Sequence, residues 1–242
     1  MLTLQERRAR CQTLVRKYYA HVPSREAVLE ATIRPLLAPT TMLLDAGCGS
    51  TAPLLTEYGK GARFSVGIDF DVPSQAPGPR IALAHGDLSA LPFRDATFDL
   101  IVSRSVVEHL EDPATVFRQL ARALKPDGHL VFTTPNKFYY SSLIAAAIPT
   151  AWRDAYMRRV FAVDGYDHFP VFYRANTRRA IHRVAREAGL RVARLQALRH
   201  FPFYFVFSPL LFRVGMAYDW LVSALRLDAL QSTWVVVMER AR

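Results

Sequence analysis

The fold is decided by the stretch MLLDAGCGSTAPLL, residues 42–55, in which an apolar run meets a glycine turn and then resumes with helical spacing. Gly47 and Gly49 permit positive φ angles and let the backbone approach a ligand closely. Ser50 or Thr51 can cap the helix that follows. The pattern is typical of a strand–turn–helix unit that holds a nucleotide-like cofactor.

Beyond this turn, short apolar runs alternate with helical patterns along the chain. Two helices are expected within residues 3–38, the second with Ser24 as its N-cap, and a later helix ends at Gly189. Strands that alternate with helices indicate a parallel sheet with crossover helices. The predicted strands are Met42–Asp45, Phe64–Asp69, Ile81–His85, Phe98–Ser103, Leu130–Thr134, RVARLQAL at 191–198 and STWVVVMER at 232–240.

Length and composition bound the domain organisation. The 242 residues are 51% hydrophobic and 21% charged, which describes a folded, core-forming chain. A single domain over 1–242 is expected, with N-terminal helices at 1–39 and a cofactor-binding core at 42–135. Apolar insertions at 136–170 and 200–230 complete this division.

Composition also bears on compartment and partners. Two cysteines are too few for a disulfide framework, and charges run through the N-terminal segment, so a cytoplasmic protein without a signal peptide is expected. The formal charge of +10 suits nucleic acid or an anionic membrane surface. Because the arginines are scattered along helices rather than clustered with aromatic residues, nucleic acid is disfavoured. An anionic membrane surface is retained as a partner, and no oligomeric state is predicted.

The second insertion is nearly apolar enough to span a bilayer, which takes about 20 residues. It carries Pro202, Pro209, Arg213 and Asp219, and a strongly β-forming segment follows it, so a span is not expected. Two alternatives stay open for the insertions. They form either a surface that dips an aromatic face into the membrane interface or a hydrophobic lid that never meets lipid.

The glycine turn alone fits two cofactors. Gly47-x-Gly49-x-x-Ala52 followed by Asp69 matches the dinucleotide fingerprint of NAD(P) enzymes. However, Asp45 lies directly before the turn, where a carboxylate opposes pyrophosphate but suits an ammonium group. Asp87, after the third strand, can accept a hydrogen bond from an exocyclic amine. These carboxylates favour a cofactor that carries an amino acid moiety.

Five motifs in order strengthen this choice, and they cover most of residues 42–192. They are LLDAGCGST, VGIDFD, HGDLSALPFRDATFDLIVSRSVVEHLEDP, LARALKPDGHLVFTTPN and HFPVFYRANTRRAIHRVAREAGLRV. The chain thereby resembles the class I S-adenosylmethionine-dependent methyltransferases, a broad group that includes the ubiquinone-pathway O-methyltransferases. The resemblance implies a Rossmann-like α/β fold with helices on both faces of a seven-stranded sheet. Six strands would be parallel and the last antiparallel.

The resemblance also assigns the methionine end of S-adenosylmethionine. Gly47 and Gly49 would line it, and Asp45 would support the turn and the ammonium group. Ser103 lies after the fourth strand, where the family contacts the same end or opens toward the acceptor. Thr51 departs from the family pattern, in which a third glycine is common.

Further along, the resemblance implies that Asp69 holds the ribose hydroxyls. Asp87 and the backbone of Leu88 would read the adenine. Arg104 follows Ser103 at the fourth strand. By the same resemblance it would contact the methionine end of the cofactor or face the acceptor.

Methyl transfer from a sulfonium needs alignment rather than a nucleophilic side chain. A hydroxyl acceptor benefits from a base, and His109 and His168 are the two candidates. Some relatives bind a metal through a glutamate followed by a Glu-His pair. Here Ser105 replaces the first glutamate before Glu108, so no metal site is predicted, and Mg²⁺ is a less favoured cofactor.

The acceptor is expected to be small and hydrophobic or lipid-linked, with O-methylation favoured. Two other functions stay open: an NAD(P)-dependent oxidoreductase, and a non-catalytic module that docks on membrane or protein. The hydrophobic acceptor rests on the aromatic residues of the two insertions, Tyr139, Tyr140, Trp152, Phe201, Phe203, Tyr204 and Phe205.

Overall fold

A computed structural model describes residues 2–161 and 169–241. Its central element is a seven-stranded sheet with the order β3-β2-β1-β4-β5-β7-β6. The predicted strands are confirmed; six of them differ by at most one residue at an end, whereas the fifth begins at Leu124 rather than at Leu130. The strands are β1 (Met42–Ala46), β2 (Phe64–Asp69), β3 (Ile81–His85), β4 (Phe98–Arg104), β5 (Leu124–Pro135), β6 (Leu190–Leu198) and β7 (Thr233–Arg240).

The strand directions also agree with the prediction. The pairs β1–β2, β1–β4, β2–β3 and β4–β5 are parallel. At one end of β7 the Ser232 amide donates to the Leu198 carbonyl, and at the other end the Ala241 amide donates to the Gly189 carbonyl. Since the start of β7 meets the end of β6, the last strand runs antiparallel to its neighbour.

Several helices begin at residues that stabilise their first turns. Thr3 and Glu6 form a capping box on the first helix. The Ser24 hydroxyl accepts from the Ala27 amide, which confirms the predicted cap of the second. The helices are α1 (Leu4–Tyr18), α2 (Arg25–Ile33), α3 (Pro53–Tyr58), α4 (Pro113–Ala123), α5 (Tyr140–Ala147), α6 (Thr150–Phe161), α7 (Arg178–Glu187) and α8 (Pro209–Ala224).

Helices cover both faces of the sheet. On one face, α2 and α3 pack on alternate strand residues such as Leu43 and Val131. On the other face, Phe117 of α4 meets Phe132 of β5 edge to face, with ring centroids 5.4 Å apart. Adjacent residues of a strand point to opposite faces, so both faces of β5 are buried, as a parallel sheet requires.

The segment Pro126-Asp-Gly has the composition of a turn but lies inside β5. Phe98 pairs with Leu124, and the next pair joins Leu100 to His129, so β5 carries extra residues at this point. The backbone bulges there without leaving the sheet. The helix before it, α4, ends at Ala123.

The chain divides into two compact units. The sheet unit comprises residues 28–134, 171–196 and 234–241, and the helical unit comprises residues 2–27, 135–161, 169–170 and 197–233. The described parts of both predicted insertions thus lie in one unit together with α1. A further hydrophobic cluster forms inside the helical unit around Cys11, Val160, Val206 and Phe212.

Candidate functional site

The glycine turn follows β1 and closes onto β2. Gly47 and Gly49 both have positive φ, +87° and +65°, as their sequence positions suggested. The amides of Gly47 and Cys48 donate to the Ile68 carbonyl at 2.9 and 3.3 Å. These bonds hold the turn at the carboxyl ends of two parallel strands, where ligands of α/β proteins bind.

The predicted helix cap in this turn is wrong. The N-cap of α3 is Ala52, which is in the left-handed conformation with φ of 41° and offers no side-chain hydrogen bond. Neither Ser50 nor Thr51 serves as the cap, because the chain makes one more turn residue before the helix begins. Pro53 at the first helical position needs no amide acceptor, which lowers the need for a cap.

Close packing restricts two glycines in this region. A Cβ on Gly47 would lie 2.2 Å from Val106 Cγ2, so the turn can approach the segment after β4 only without a side chain. A Cβ on Gly67 of β2 would lie 2.8 Å from Cys48 Sγ and 2.7 Å from Leu55 Cδ1. Sequence reasoning missed Gly67, although a glycine inside a strand is a recognised sign of close approach.

Gly49 differs from Gly47 in its surroundings. A Cβ on Gly49 would meet no atom within 4 Å, so the turn is open at this point. The Gly49 amide donates to Asp69 Oδ2 at 2.8 Å, and the Asp71 amide donates to Oδ1 of the same carboxylate at 3.2 Å. Asp69 therefore ties β2 to the glycine turn, and its carboxylate retains lone pairs that can accept further hydrogen bonds.

Asp45 is the buried carboxyl of the site. Its side chain is 2% exposed, and Oδ2 has no hydrogen-bond partner. Burial raises the pKa of Asp45 to about 7, an increase that Arg104 opposes and Asp69 reinforces. A buried carboxyl oxygen without a donor is uncommon in folded proteins, and it marks a place where a bound group can donate.

Asp87 and Leu88 lie after β3. The Asp87 carboxylate accepts from the Ser89 amide at 2.8 Å and caps the short 3-10 turn Leu88–Ala90. Asp87 is exposed and Leu88 is buried. Leu88 lines a small apolar pocket together with Ser103 and Val106, so these predicted residues share one neighbourhood with the segment that contacts Gly47.

His109 ends the 3-10 turn Val107–His109, which follows β4. Its amide donates to the Val106 carbonyl at 2.9 Å. The preceding residue, Glu108, is 5% exposed, and its carboxylate accepts from the Thr134 hydroxyl at 3.1 Å. The Glu108 carbonyl accepts from the amide of Phe172 at 2.8 Å. Glu108 thus fixes the turn that carries His109, a role that sequence reasoning did not assign.

The remaining predicted residues are less informative. Ser105 has φ of 57°, so the chain turns sharply directly after β4. His168 lies outside the described residues. Within residues 2–161 and 169–241, no group of three or more His, Cys, Asp or Glu side chains is arranged to hold a metal ion.

These features fit the amino acid end of S-adenosylmethionine. Its ammonium group could donate to the buried oxygen of Asp45, and the open space beside Gly49 leaves room for a ligand against the backbone. A pyrophosphate would instead meet the Asp45 carboxylate with like charge. The carboxylate beside the turn therefore favours a ligand with a cationic group over a dinucleotide with its pyrophosphate.

Comparisons with known proteins support the same cofactor. Residues 44–132 match the family model described as a methyltransferase domain. Over 105 residues the chain is 36% identical to a protein of Mycolicibacterium smegmatis named a probable S-adenosylmethionine-dependent methyltransferase, a match covering 41% of this chain and 40% of that protein. The core of this chain is a class I methyltransferase domain. The resemblance inferred from the five motifs is thereby confirmed.

Two further comparisons refine this result. Over 125 residues the chain is 32% identical to demethylmenaquinone methyltransferase of Mycolicibacterium vanbaalenii, covering 47% of this chain and 53% of that protein. The solved structure of an S-adenosylmethionine-dependent methyltransferase from Mesorhizobium loti superposes with a TM-score of 0.54 at 19% identity, covering 88% of this chain and 98% of that one. This superposition supports the methyltransferase fold of the chain. The two sequence matches span only about half or less of the relatives' own length.

Proposed function

We propose that this protein transfers a methyl group from S-adenosylmethionine to a small hydrophobic or lipid-linked acceptor. The observation that carries the donor assignment is the buried Asp45 oxygen without a partner, directly before a turn that is open at Gly49. When bound, S-adenosylmethionine supplies a methyl group on a positively charged sulfur. The class I fold of the core and the names of the sequence relatives support the same donor.

The chain's residues divide the binding of the donor among them. Asp45 accepts from the ammonium group, and the backbone at Gly47 and Gly49 lies against the methionine moiety. Asp69, already held by the Gly49 amide, accepts from the ribose hydroxyls. Asp69 lies at the end of β2 and is bonded to the turn, so one carboxylate would orient both the turn backbone and the ribose.

Recognition of the adenine falls to the segment after β3. Asp87 accepts from the exocyclic amine, and the Leu88 backbone reads the ring edge. The Ser89 amide already holds one oxygen of the Asp87 carboxylate, so the other oxygen is preset in orientation. We assign Ser103 to the methionine end; in support, it lines a small pocket together with Val106, which packs against Gly47.

His109 is the base that takes the proton from an acceptor hydroxyl. Glu108 holds its turn in place through Thr134, so the imidazole is presented from a fixed backbone. His168 stays a second candidate for the same task. The proton moves directly to an imidazole nitrogen, and Mg²⁺ stays a less favoured cofactor for this step.

We expect His109→Ala to lower methyl transfer by about a hundredfold, the smaller end of the range for loss of a general base. Transfer is measured from tritiated S-adenosylmethionine into a bacterial membrane lipid extract. The matched control is His182→Ala on the exposed side of α7, which should leave transfer unchanged. Equal activity of the His109 variant and the wild type would remove His109 from the mechanism.

A hydrophobic acceptor is supported by two observations. The helical unit exposes large apolar side chains on both insertions, among them Leu143, Trp152 and Trp220. One sequence relative is named for demethylmenaquinone, whose name denotes a quinone acceptor. O-methylation is favoured because His109 suits a hydroxyl acceptor. The same apolar side chains support a position of the protein at the membrane surface. No described helix is long and apolar enough to cross a bilayer.

Donor binding is tested by thermal unfolding with S-adenosylhomocysteine and NADH in parallel. At about 100 times its dissociation constant, S-adenosylhomocysteine should stabilise the protein by about 2.7 kcal/mol, whereas NADH should have no effect. Stabilisation by NADH alone would establish the oxidoreductase alternative. A response to neither compound would favour the non-catalytic docking module.

A further inference from the structure

The outward side of α8 is apolar, and its inward side carries the helix's only acidic residue. Four residues at helical spacing face the interior of the helical unit: Phe212, Gly215, Asp219 and Val222. The exposed residues of α8 are Leu210, Leu211, Arg213, Val214, Ala217, Trp220, Leu221 and Ala224. This exposed set is called the α8 outer face. Its distribution is the reverse of the usual surface helix, which turns its polar stripe outward.

Hydrogen bonds to Asp219 fix this orientation. Tyr19, directly after α1, donates to one carboxylate oxygen at 3.0 Å, and Tyr139 donates to the other at 3.4 Å. Asp219 is 2% exposed, so the helix cannot rotate to bury Trp220 without breaking both bonds. A Cβ on Gly215 would lie 2.6 Å from Pro202 Cβ, so the same side of α8 packs closely on the preceding segment. The exposure of the outer face is therefore built into the unit.

Several large apolar side chains of the outer face, and one directly after it, are more than half exposed. Leu210 is 70% exposed, Trp220 is 65% exposed, and Leu225 directly after the helix is 58% exposed. Exposed apolar patches that persist on a rigid surface mark contact sites for lipid or protein. Tryptophan is the residue most suited to a membrane interface, since its ring is apolar and its indole N–H is polar.

Charge around the outer face selects the partner. Its one charged residue is Arg213, and it has no acidic residue. The neighbouring α1 carries Arg7, Arg8, Arg10, Arg16 and Lys17 against the single acid Glu6. Cationic side chains beside an apolar helix face complement a bilayer that contains anionic lipids.

A second copy of this chain fits the face less well. Packing two outer faces together would bury Arg213 of each copy against a surface without an acidic residue. At a bilayer, by contrast, the long arginine side chain can reach the headgroups while its neighbours enter the acyl region. A lipid surface thus offers an apolar environment to the apolar residues of the face and headgroups to Arg213.

We propose that the α8 outer face docks this protein on an anionic lipid bilayer. This inference deepens the proposed function, since it names the surface from which a lipid-linked acceptor would be taken. The helix lies parallel to the membrane plane, with Trp220 and Leu221 in the interface and the arginines of α1 near the headgroups. Docking requires no change inside the unit, because the face is already exposed.

The test is co-sedimentation of the full chain with vesicles of equal parts phosphatidylcholine and phosphatidylserine. No methyl donor or acceptor is present, so failure of docking is distinguishable from failure of donor binding. The wild type should bind these vesicles, should bind phosphatidylcholine vesicles weakly, and should dissociate as salt is raised. Free phosphate at matched ionic strength should not release it.

Two pairs of substitutions locate the contact. Trp220→Ser with Leu221→Ser should weaken vesicle partitioning at least about tenfold, and Leu210→Ser with Val214→Ser should do the same. Phe70→Ser is the matched control, because it removes an exposed aromatic residue of the sheet unit and should bind like the wild type. Circular dichroism melts identify any variant that fails to fold, and the other pair then decides.

Three results would overturn the proposal. The first is a wild type that ignores the mixed vesicles. The second is unchanged binding by both folded pairs of variants. The third is a dimer in sedimentation velocity that both pairs convert to monomer, without vesicle binding by the wild type, which would assign the face to a second copy.

Discussion

Gly47→Ala is expected to destabilise the protein by about 2–5 kcal/mol. The residue has φ of +87°, where an L side chain is strained by about 1–2 kcal/mol. The new Cβ would also lie 2.2 Å from Val106 Cγ2, and overpacking of this kind adds about 1–3 kcal/mol. Urea denaturation followed by circular dichroism measures the loss.

Gly49→Ala is the matched control for this substitution. Its φ is also positive, +65°, but its Cβ would meet no protein atom within 4 Å. The expected loss of stability is therefore the backbone strain alone, about 1–2 kcal/mol. If the donor occupies the space beside Gly49, this variant should also lose the stabilisation by S-adenosylhomocysteine. Equal destabilisation by both substitutions would show that the contact with Val106 yields at little cost.

Asp45→Asn is expected to weaken binding of S-adenosylhomocysteine by about 2–5 kcal/mol, the range for removing one member of a buried charge pair. Without the ligand, the same variant should be more stable than the wild type at about pH 8. The reason is that burial of the Asp45 carboxylate is unfavourable, whereas a neutral amide of the same size avoids most of this cost. Isothermal titration measures the first effect, and urea denaturation measures the second.

The pH dependence of Asp45 has a defined sign. Burial raises its pKa from 3.8 to about 7, so the folded protein binds a proton that the unfolded chain releases. Stability without ligand should therefore rise as pH falls from about 8 to about 5. Asp219, whose pKa burial also raises to about 7, has the same sign. Comparison with Asp45→Asn isolates the Asp45 contribution, because Asp219 titrates in both proteins.

Ligand binding should respond to pH in the opposite direction. The ionised carboxylate attracts the ammonium group, and protonation below about pH 7 removes that attraction. The affinity for S-adenosylhomocysteine should fall toward about pH 6 in the wild type but stay nearly constant in Asp45→Asn. Parallel affinity curves for the two proteins would contradict the contact between Asp45 and the ammonium group.

Much of the fold could be predicted because its sequence signals are local. Apolar runs of strand length, glycine at turns and Ser24 before a helical pattern each report on a few neighbouring residues. The seven strands, the cap of α2 at Ser24 and the end of α7 near Gly189 follow from such patterns. The glycine turn and the carboxylates at Asp45 and Asp69 were likewise visible, since each lies at a strand end within one βαβ pattern.

The errors arose where distant contacts decide the local structure. Thr51 has the chemistry of a cap, but bonds from the turn to Ile68 place Ala52 at the helix start instead. Lys-Pro-Asp-Gly after α4 has the composition of a turn, but pairing with β4 keeps it within the sheet as a bulge. In both cases tertiary hydrogen bonds outweigh a local preference of about 1 kcal/mol.

The sequence by itself determined the class of fold, the position of the glycine turn and the acidic residues near it, because these depend on order and spacing along the chain. Only the tertiary structure decided that Asp45 has a buried oxygen without a partner and that Glu108 holds the turn of His109. It also decided that α8 keeps Asp219 inside and Trp220 outside. Burial and partnership are properties of residues far apart in sequence, so no local pattern can report them.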